Sequence, residues 1–467
     1  DTWQEHADLM RIENVTPEYA NVLNLSGVNS VKQLARRSPK SLLDRIVKFN
    51  EEQPDLLSKV PTLKQVKDWI SKAKADGNGG GDPTKTPKTP KKKTSTKGSK
   101  VRVWEQDPTV SIPALSYIHT SILDGPKDDD INIIGLKIAE SDKNNDFLYD
   151  NVKNPEKFDA VHTFSVIRQV LTMYNRAILK QNENYSGFQW VWGKVPIKVY
   201  PYAAYGANAY YSRDEQALKF FYFNPNDDET KPLVYTCRSF DIVAHETGHA
   251  FLDALCPEFL ISWHPETGGL HEAFGDLTSI FVLLSQLDMC DEIIAESKAD
   301  LHNKTFFPVI GEEFGEAIFG KPTGLRNADN DLKMSDVSTE VHEISQVFTG
   351  AVYDILAYMF DNHLDLDRYD PAETLFRIGY HVALLIINAL YMNKHANATY
   401  QEVAQSMIEL EQNEDYKAMI LKEFTKREIL GVPPSNYDIN LEFSYKGCCQ
   451  TMQNDEFKEY IKNAKLK

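Results

Sequence analysis

Residues 241–251 read DIVAHETGHAF. On a helix, His245 and His249 lie one turn apart on the same face, so two imidazoles can reach one Zn²⁺. Glu246 projects beside them, where it can take a proton from water instead of binding the metal. Apolar Ile242, Val243 and Ala244 lead into the motif and Ala250 and Phe251 lead out, as a buried helix requires. Gly248 inside that helix costs up to about 1 kcal/mol against alanine and asks for a packing reason.

Zinc needs a third protein ligand and a position left open for water. An HExxHxxGxxH arrangement would put Gly at 252 and His at 255, and the chain has Leu252 and Leu255. The other arrangement takes a Glu from a second helix some distance on, with an Asp one turn later. Residues 268–280, GGLHEAFGDLTSI, place Glu272 and Asp276 on one helical face. Glu272 is the expected third ligand and Asp276 the group holding a ligand histidine's other ring nitrogen. His271 stands beside Glu272 as a rival ligand.

The elements that must position these residues follow from periodicity. Residues 160–180 carry helical spacing, whereas 196–224 alternate, are rich in Tyr, Val and Phe, and read as β-hairpin strands. After about 240 the spacing is helical almost to the end. Ahead of all this, 76–100 (DGNGGGDPTKTPKTPKKKTSTKGSK) cannot bury enough apolar surface to offset ordering and reads as a flexible linker. The expected division is a helical module over 1–75, the linker over 76–100, an αβ lobe over 101–243 and an α-helical lobe over 244–467. The class is α+β.

In the front module, Tyr19 to Leu25 and Val31 to Ala35 flank a turn at Ser26–Asn29. Pro39 then opens a helix and Leu63 to Ile70 makes a last one. The pattern LNLSGVNSVKQLARRSPKSLLDRI resembles small helix-hairpin-helix domains. With one hairpin glycine, Gly27, and acids balancing Arg36, Arg37 and Lys40, a protein-interaction or structural role is preferred over DNA binding.

A length of 467 residues suggests two to four domains at roughly 150 residues each. A net charge of −17 argues against general nucleic-acid binding, because a phosphate backbone needs a basic face. Five irregularly spaced cysteines give no disulfide framework and lean towards a reducing compartment. No signal peptide is legible, and with Asp1 as the first residue the compartment is left open between intracellular and secreted. The longest apolar run, 379–392, is too short to span a bilayer and reads as a buried helix, so no membrane span is expected.

Taken together, the motif segments resemble the thermolysin-like metallopeptidases, within the gluzincins. DIVAHETGHAF followed by GGLHEAFGD is similar to that family's paired zinc helices, although the family commonly has Asn where this chain has His271. The resemblance covers roughly 160–430 and implies a two-lobed peptidase with zinc between an αβ lobe and a mostly α lobe. It implies that Asn208 and Ala209, in the segment NAYY, hold an extended substrate by strand addition. It implies that Arg326, in GKPTGLRNADND, shapes the pocket for the residue after the cut. His342, in EVHEISQVFTGAVYDIL, would donate to the developing oxyanion.

The chain also departs from the family pattern. The Asp expected five residues before the oxyanion histidine is Val337, with Asp336 beside it. The tyrosine expected between the zinc helices is not identifiable around Trp263 and His264. Of the implied calcium carboxylates, Asp241 and Glu312 match while Leu283 does not, so a double-calcium site is not expected and Ca²⁺ is at most a single ion. The resulting expectation is a zinc endopeptidase with one Zn²⁺ and a peptide or protein substrate. The rivals are an inactive peptidase-like binding protein whose front module does the work, and a gluzincin exopeptidase.

Overall fold

The computed structural model describes residues 6, 8–52, 57, 59–76, 98–181, 187–320 and 324–431. Nearly all of the expected linker, residues 77–97, lies outside them. The chain divides into two compact units, 1–95 and 96–467.

The described part of the first unit is all helical: α1 (Pro17–Leu25), α2 (Val31–Leu34), α3 (Pro39–Glu52) and α4 (Leu63–Asp76). Thr16 and Ser30 cap α1 and α2 by accepting the backbone N–H groups of Tyr19 and Gln33. Gly27 supplies the positive φ, +73°, that turns the chain between them, and the Arg37 guanidinium donates to its carbonyl. Val22, Leu23, Val28, Leu34, Ile46, Val66 and Trp69 form a separate small core.

The second unit is mixed α and β. Its strands are β1 (Ser99–Trp104), β2 (Pro113–Ile118), β3 (Ile131–Ile133), β4 (Ile197–Tyr200), β5 (Ala209–Ser212), β6 (Ala217–Phe220), β7 (Tyr222–Phe223) and β8 (Val234–Tyr235). The main sheet runs β3-β4-β6-β5, with β3, β4 and β6 parallel and β5 antiparallel on the edge. The alternation in 196–224 therefore marked strands, and β5 and β6 pair antiparallel as a hairpin would, but β4 pairs in parallel with β6 of the same segment and with the distant β3. α5 (Pro155–Gln181) packs on this sheet.

Helices α6 (Phe240–Leu255), α7 (Pro265–Leu284) and α8 (Leu287–Ser297) follow. Then come the short β9 (Val309–Ile310), α9 (Glu312–Phe319) and β10 (Arg326–Asn327), and finally α10 (Val341–His363), α11 (Pro371–Met392), α12 (Tyr400–Leu410) and α13 (Glu414–Lys426). One apolar core runs continuously from Val101 to Leu430. α6 begins at Phe240, so the expected lobe boundary at 243/244 falls inside a helical turn.

The apolar run at 379–392 belongs to α11, which starts eight residues earlier at Pro371. By length and composition alone this 22-residue helix could cross a bilayer. It is the sole such helix among the described residues, and Leu375, Val382, Ile386 and Leu390 are buried in the core.

Candidate metal centre

Helix α6 is capped by Ser239 and almost wholly buried. It crosses α7 closely because each contributes a glycine at the crossing. A Cβ on Gly248 would lie 2.6 Å from Thr278 Oγ1 and 3.2 Å from Gly275 Cα; one on Gly275 would lie 2.6–2.9 Å from three atoms of the His245 ring. That is the packing reason for Gly248.

The crossing brings the predicted residues together. His245, Glu246 and His249 are buried, with one candidate ligand atom from each within 4.8 Å of the others. The Glu272 carboxylate reaches 3.4 Å from His245 Nε2 and 3.5 Å from His249 Nε2. Both Nε2 atoms thus face Glu272, while both Nδ1 atoms are held from behind. Asp276 Oδ1 is 2.9 Å from His245 Nδ1, and His271 Nδ1 is 2.7 Å from His249 Nδ1. Of the two rivals, Glu272 lies among the converging atoms, whereas His271 sits behind His249, on the Nδ1 side of its ring.

Two imidazole nitrogens and a carboxylate in a buried setting form a donor set that could hold a divalent metal ion. Burial works against charge on His245, but Asp276 and Glu272 overcome it and raise its pKa to about 10. Burial pushes Glu272 up, yet the surrounding histidines, His342 foremost, hold it well below the usual carboxylate range. His249 is pushed well below the ordinary value by burial. Burial also lifts Glu246 to about 7, with His245 opposing. A carboxylate poised near neutrality suits proton transfer in both directions.

Glu246 is fixed by the edge strand, since Tyr211 N–H donates to its Oε2 at 3.0 Å. The Tyr211 phenol donates to buried Asp253 at 2.6 Å, and Arg213 Nε donates to the same carboxylate at 2.9 Å. Asn208 and Ala209 lie at the start of this strand, β5. Asn208 Oδ1 accepts the Ala209 N–H at 2.8 Å, and its carbonyl accepts from Phe221 N–H and the Thr236 hydroxyl.

Arg326, on β10, donates through Nε and Nη2 to both oxygens of Asp276 at 2.7 and 2.6 Å. It therefore braces the carboxylate behind His245, a contact that spacing did not predict. With Arg326 opposing the effect of burial, Asp276 is lowered to about 2.

His342, in the first turn of α10, places Nε2 3.5 Å from Glu272 Oε2. Its Nδ1 pairs with Glu340 Oε1 at 2.6 Å. Neither Val337 nor Asp336 supplies that partner; Asp336 caps its own turn through the Lys333 N–H. Glu340 was missed, although an acid immediately before a helix and two residues from a histidine is a readable cue.

The calcium expectation meets a different arrangement. Asp241 and Glu312 are buried together with Asp107, which no spacing rule linked to them. Glu312 and Asp241 share a side-chain hydrogen bond, and Asp107 Oδ2 is buried without a hydrogen-bond partner among the described residues. Yet among the described residues the groups with three ligand atoms within 4.8 Å are the α6 cluster and His302, Asp329 and Asp354. The Asp107–Asp241–Glu312 carboxylates do not form a ready cation cage. The second group lines a surface cavity of about 490 Å³, and Asp354 there is already paired with Arg427 at 2.8 Å.

Residues 1–76 match a family described as a domain of unknown function, DUF4332. No curated protein matches the chain.

Proposed function

We propose that the second unit is a zinc-dependent endopeptidase of the thermolysin-like kind. In this reading the strand-bearing and helical parts are its two lobes, with the metal between them. The observation that carries the proposal is the convergence of His245 Nε2, His249 Nε2 and the Glu272 carboxylate in one buried place, with Glu246 beside them. Two imidazoles and a carboxylate suit Zn²⁺ among common divalent ions and leave a coordination position open.

When bound, the ion supplies Lewis acidity and lowers the pKa of water in its shell. Glu246 takes the proton of the attacking water and returns it to the leaving amine nitrogen. The Tyr211 N–H keeps that carboxylate aimed during both transfers. His342 Nε2 donates to the oxyanion, with Glu340 holding its far nitrogen. Asn208 and Ala209 at the edge of the sheet align an extended peptide by strand addition, and Arg326 borders the pocket for the residue after the cut.

Zinc content by elemental analysis, together with hydrolysis of casein and of end-blocked peptides, tests the proposal. One zinc per chain is expected, with turnover stopped by phenanthroline and restored by added zinc. A chain that binds no zinc, or binds it and cuts neither substrate, would overturn the reading.

A further inference from the structure

Past α13 the sequence changes period. Residues 432–467 lie outside the described residues, and 436–445 among them read NYDINLEFSY. Tyr437, Ile439, Leu441, Phe443 and Tyr445 alternate strictly with Asp438, Asn440, Glu442 and Ser444. That is the spacing of a strand with one apolar face, and it follows four helices, α10 to α13. A strand by itself leaves its backbone N–H and C=O groups unmatched, so such a segment calls for a sheet edge to pair with.

The main sheet presents such an edge at the metal site. Its β3 side is already taken up, because Asn132 bridges Lys127 and the Ile133 N–H donates to the Pro126 carbonyl. On the other side β5 ends the sheet, paired with β6, and it is the strand whose Tyr211 N–H holds Glu246. The described chain ends near the same site. The Met334 N–H, in the segment between Arg326 and His342, donates to the Arg427 carbonyl at 3.1 Å. Eight residues, from 334 to 342, put His342 no more than about 30 Å from that contact. The alternating segment starts ten residues after Arg427 and ends eighteen after it, an extended contour of about 33 to 59 Å. It can therefore be laid across the site from His342 to β5 with the core undisturbed.

We propose that residues 437–445 add to β5 as a further strand, lying where a peptide substrate would lie and competing with it from within the same chain. The effect on turnover rests on the peptidase reading above, whereas the strand addition rests on the alternation, the edge and the reach. A segment joined to its site by so short a connection acts at an effective concentration on the order of 1 mM. Even a strand of millimolar affinity then fills the cleft about half the time. Because competitor and site share one chain, the effect does not depend on protein concentration. It raises KM and leaves kcat alone.

The test uses the full chain. Amide exchange in 437–445 is followed by mass spectrometry in Glu246→Gln protein with zinc added, which keeps an acceptor for the Tyr211 N–H and cannot consume the segment. The comparison is the same protein carrying Leu441→Pro and Glu442→Pro, which together remove a strand donor in either register. Without the prolines these amides are expected to exchange at least about twofold more slowly. A saturating end-blocked peptide is expected to abolish the difference. With Glu246 restored, and on chains whose mass shows them intact, the two prolines are expected to lower KM for that peptide about twofold or more at unchanged kcat. Equal exchange, protection that saturating peptide leaves in place, or an unchanged KM overturns the inference. A chain that cuts no peptide overturns the peptidase reading instead, and slowed exchange in it leaves the strand addition standing.

Discussion

Glu340 holds His342 from two residues away: its Oε1 pairs with His342 Nδ1 at 2.6 Å, while its Oε2 accepts the backbone N–H groups of His342 and Glu343. One carboxylate is thus both the N-cap of α10 and the orienter of the imidazole. Because the cap fixes the carboxylate, the His342 ring is aimed by the helix that carries it. Glu340→Ala should cost about 1 kcal/mol of stability through the lost cap. It should also lower kcat on a blocked peptide, by less than the roughly 10²–10³-fold expected for losing an oxyanion donor outright. Zinc content should not change. Steady-state kinetics and elemental analysis check this, and an unaltered kcat would show that the ring needs no such partner.

The two glycines at the helix crossing separate stability from metal binding. A Cβ at Gly275 would press on the His245 ring, which Asp276 pins from behind and which cannot swing away. A Cβ at Gly248 would press on Thr278 instead. Both Gly→Ala changes should destabilise by about 1–3 kcal/mol through overpacking. Gly275→Ala should also lose zinc, whereas Gly248→Ala should retain it. Denaturant melts and zinc titrations of the pair decide the matter, and equal zinc affinities would refute it.

What the sequence disclosed at this site was what local geometry controls. His245, Glu246 and His249 follow from one helical turn, and Glu272 with Asp276 from one turn of the next. Ring direction is not a property of spacing, so spacing leaves His271 a rival of Glu272, whereas in the fold it stands behind His249. The family pattern points five residues upstream of His342, whereas the bend into α10 brings round a carboxylate two residues away. Asp107 joins Asp241 and Glu312 only because the chain folds a distant segment onto α6, and the pairing of β4 with β3 has the same origin. Long-range pairing leaves no trace in a window of a few residues.

The resemblance implies a place for Arg326 at the substrate pocket, and in the fold Arg326 makes a bidentate bond to Asp276. Arg326→Leu would leave Asp276, 1% exposed, without its cation. Breaking a buried pair in this way costs about 3–5 kcal/mol, and loosening the carboxylate behind His245 should weaken zinc roughly 10–100-fold. A residue that only touched substrate would raise KM and leave zinc affinity alone. Chelator competition alongside KM measurement distinguishes the two, and wild-type zinc affinity would rule out the bracing role.

The buried acids around Asp241 should make stability fall as pH rises. Burial first, and then the neighbouring Asp241 and Asp107 charges, raise Glu312 above its ordinary value of 4.5. In the unfolded chain Glu312 loses its proton near that ordinary value, whereas in the folded chain it keeps it. Over the interval between the two, the folded state binds more protons, so stability declines with rising pH. Below the ordinary carboxylate range both states are protonated and no penalty exists. Glu312→Gln preserves shape and removes the titration, so it should match the wild type near pH 4 and exceed it at pH 8. The excess should be at least about 1.4 kcal/mol, the equivalent of one pKa unit. Melting temperatures of both proteins from pH 4 to 9 in the presence of a calcium chelator measure the difference. Parallel curves would show that the carboxylate ionises freely in the fold. A calcium-dependent rise in wild-type melting that Glu312→Gln abolishes would show that these oxygens close around a cation after all.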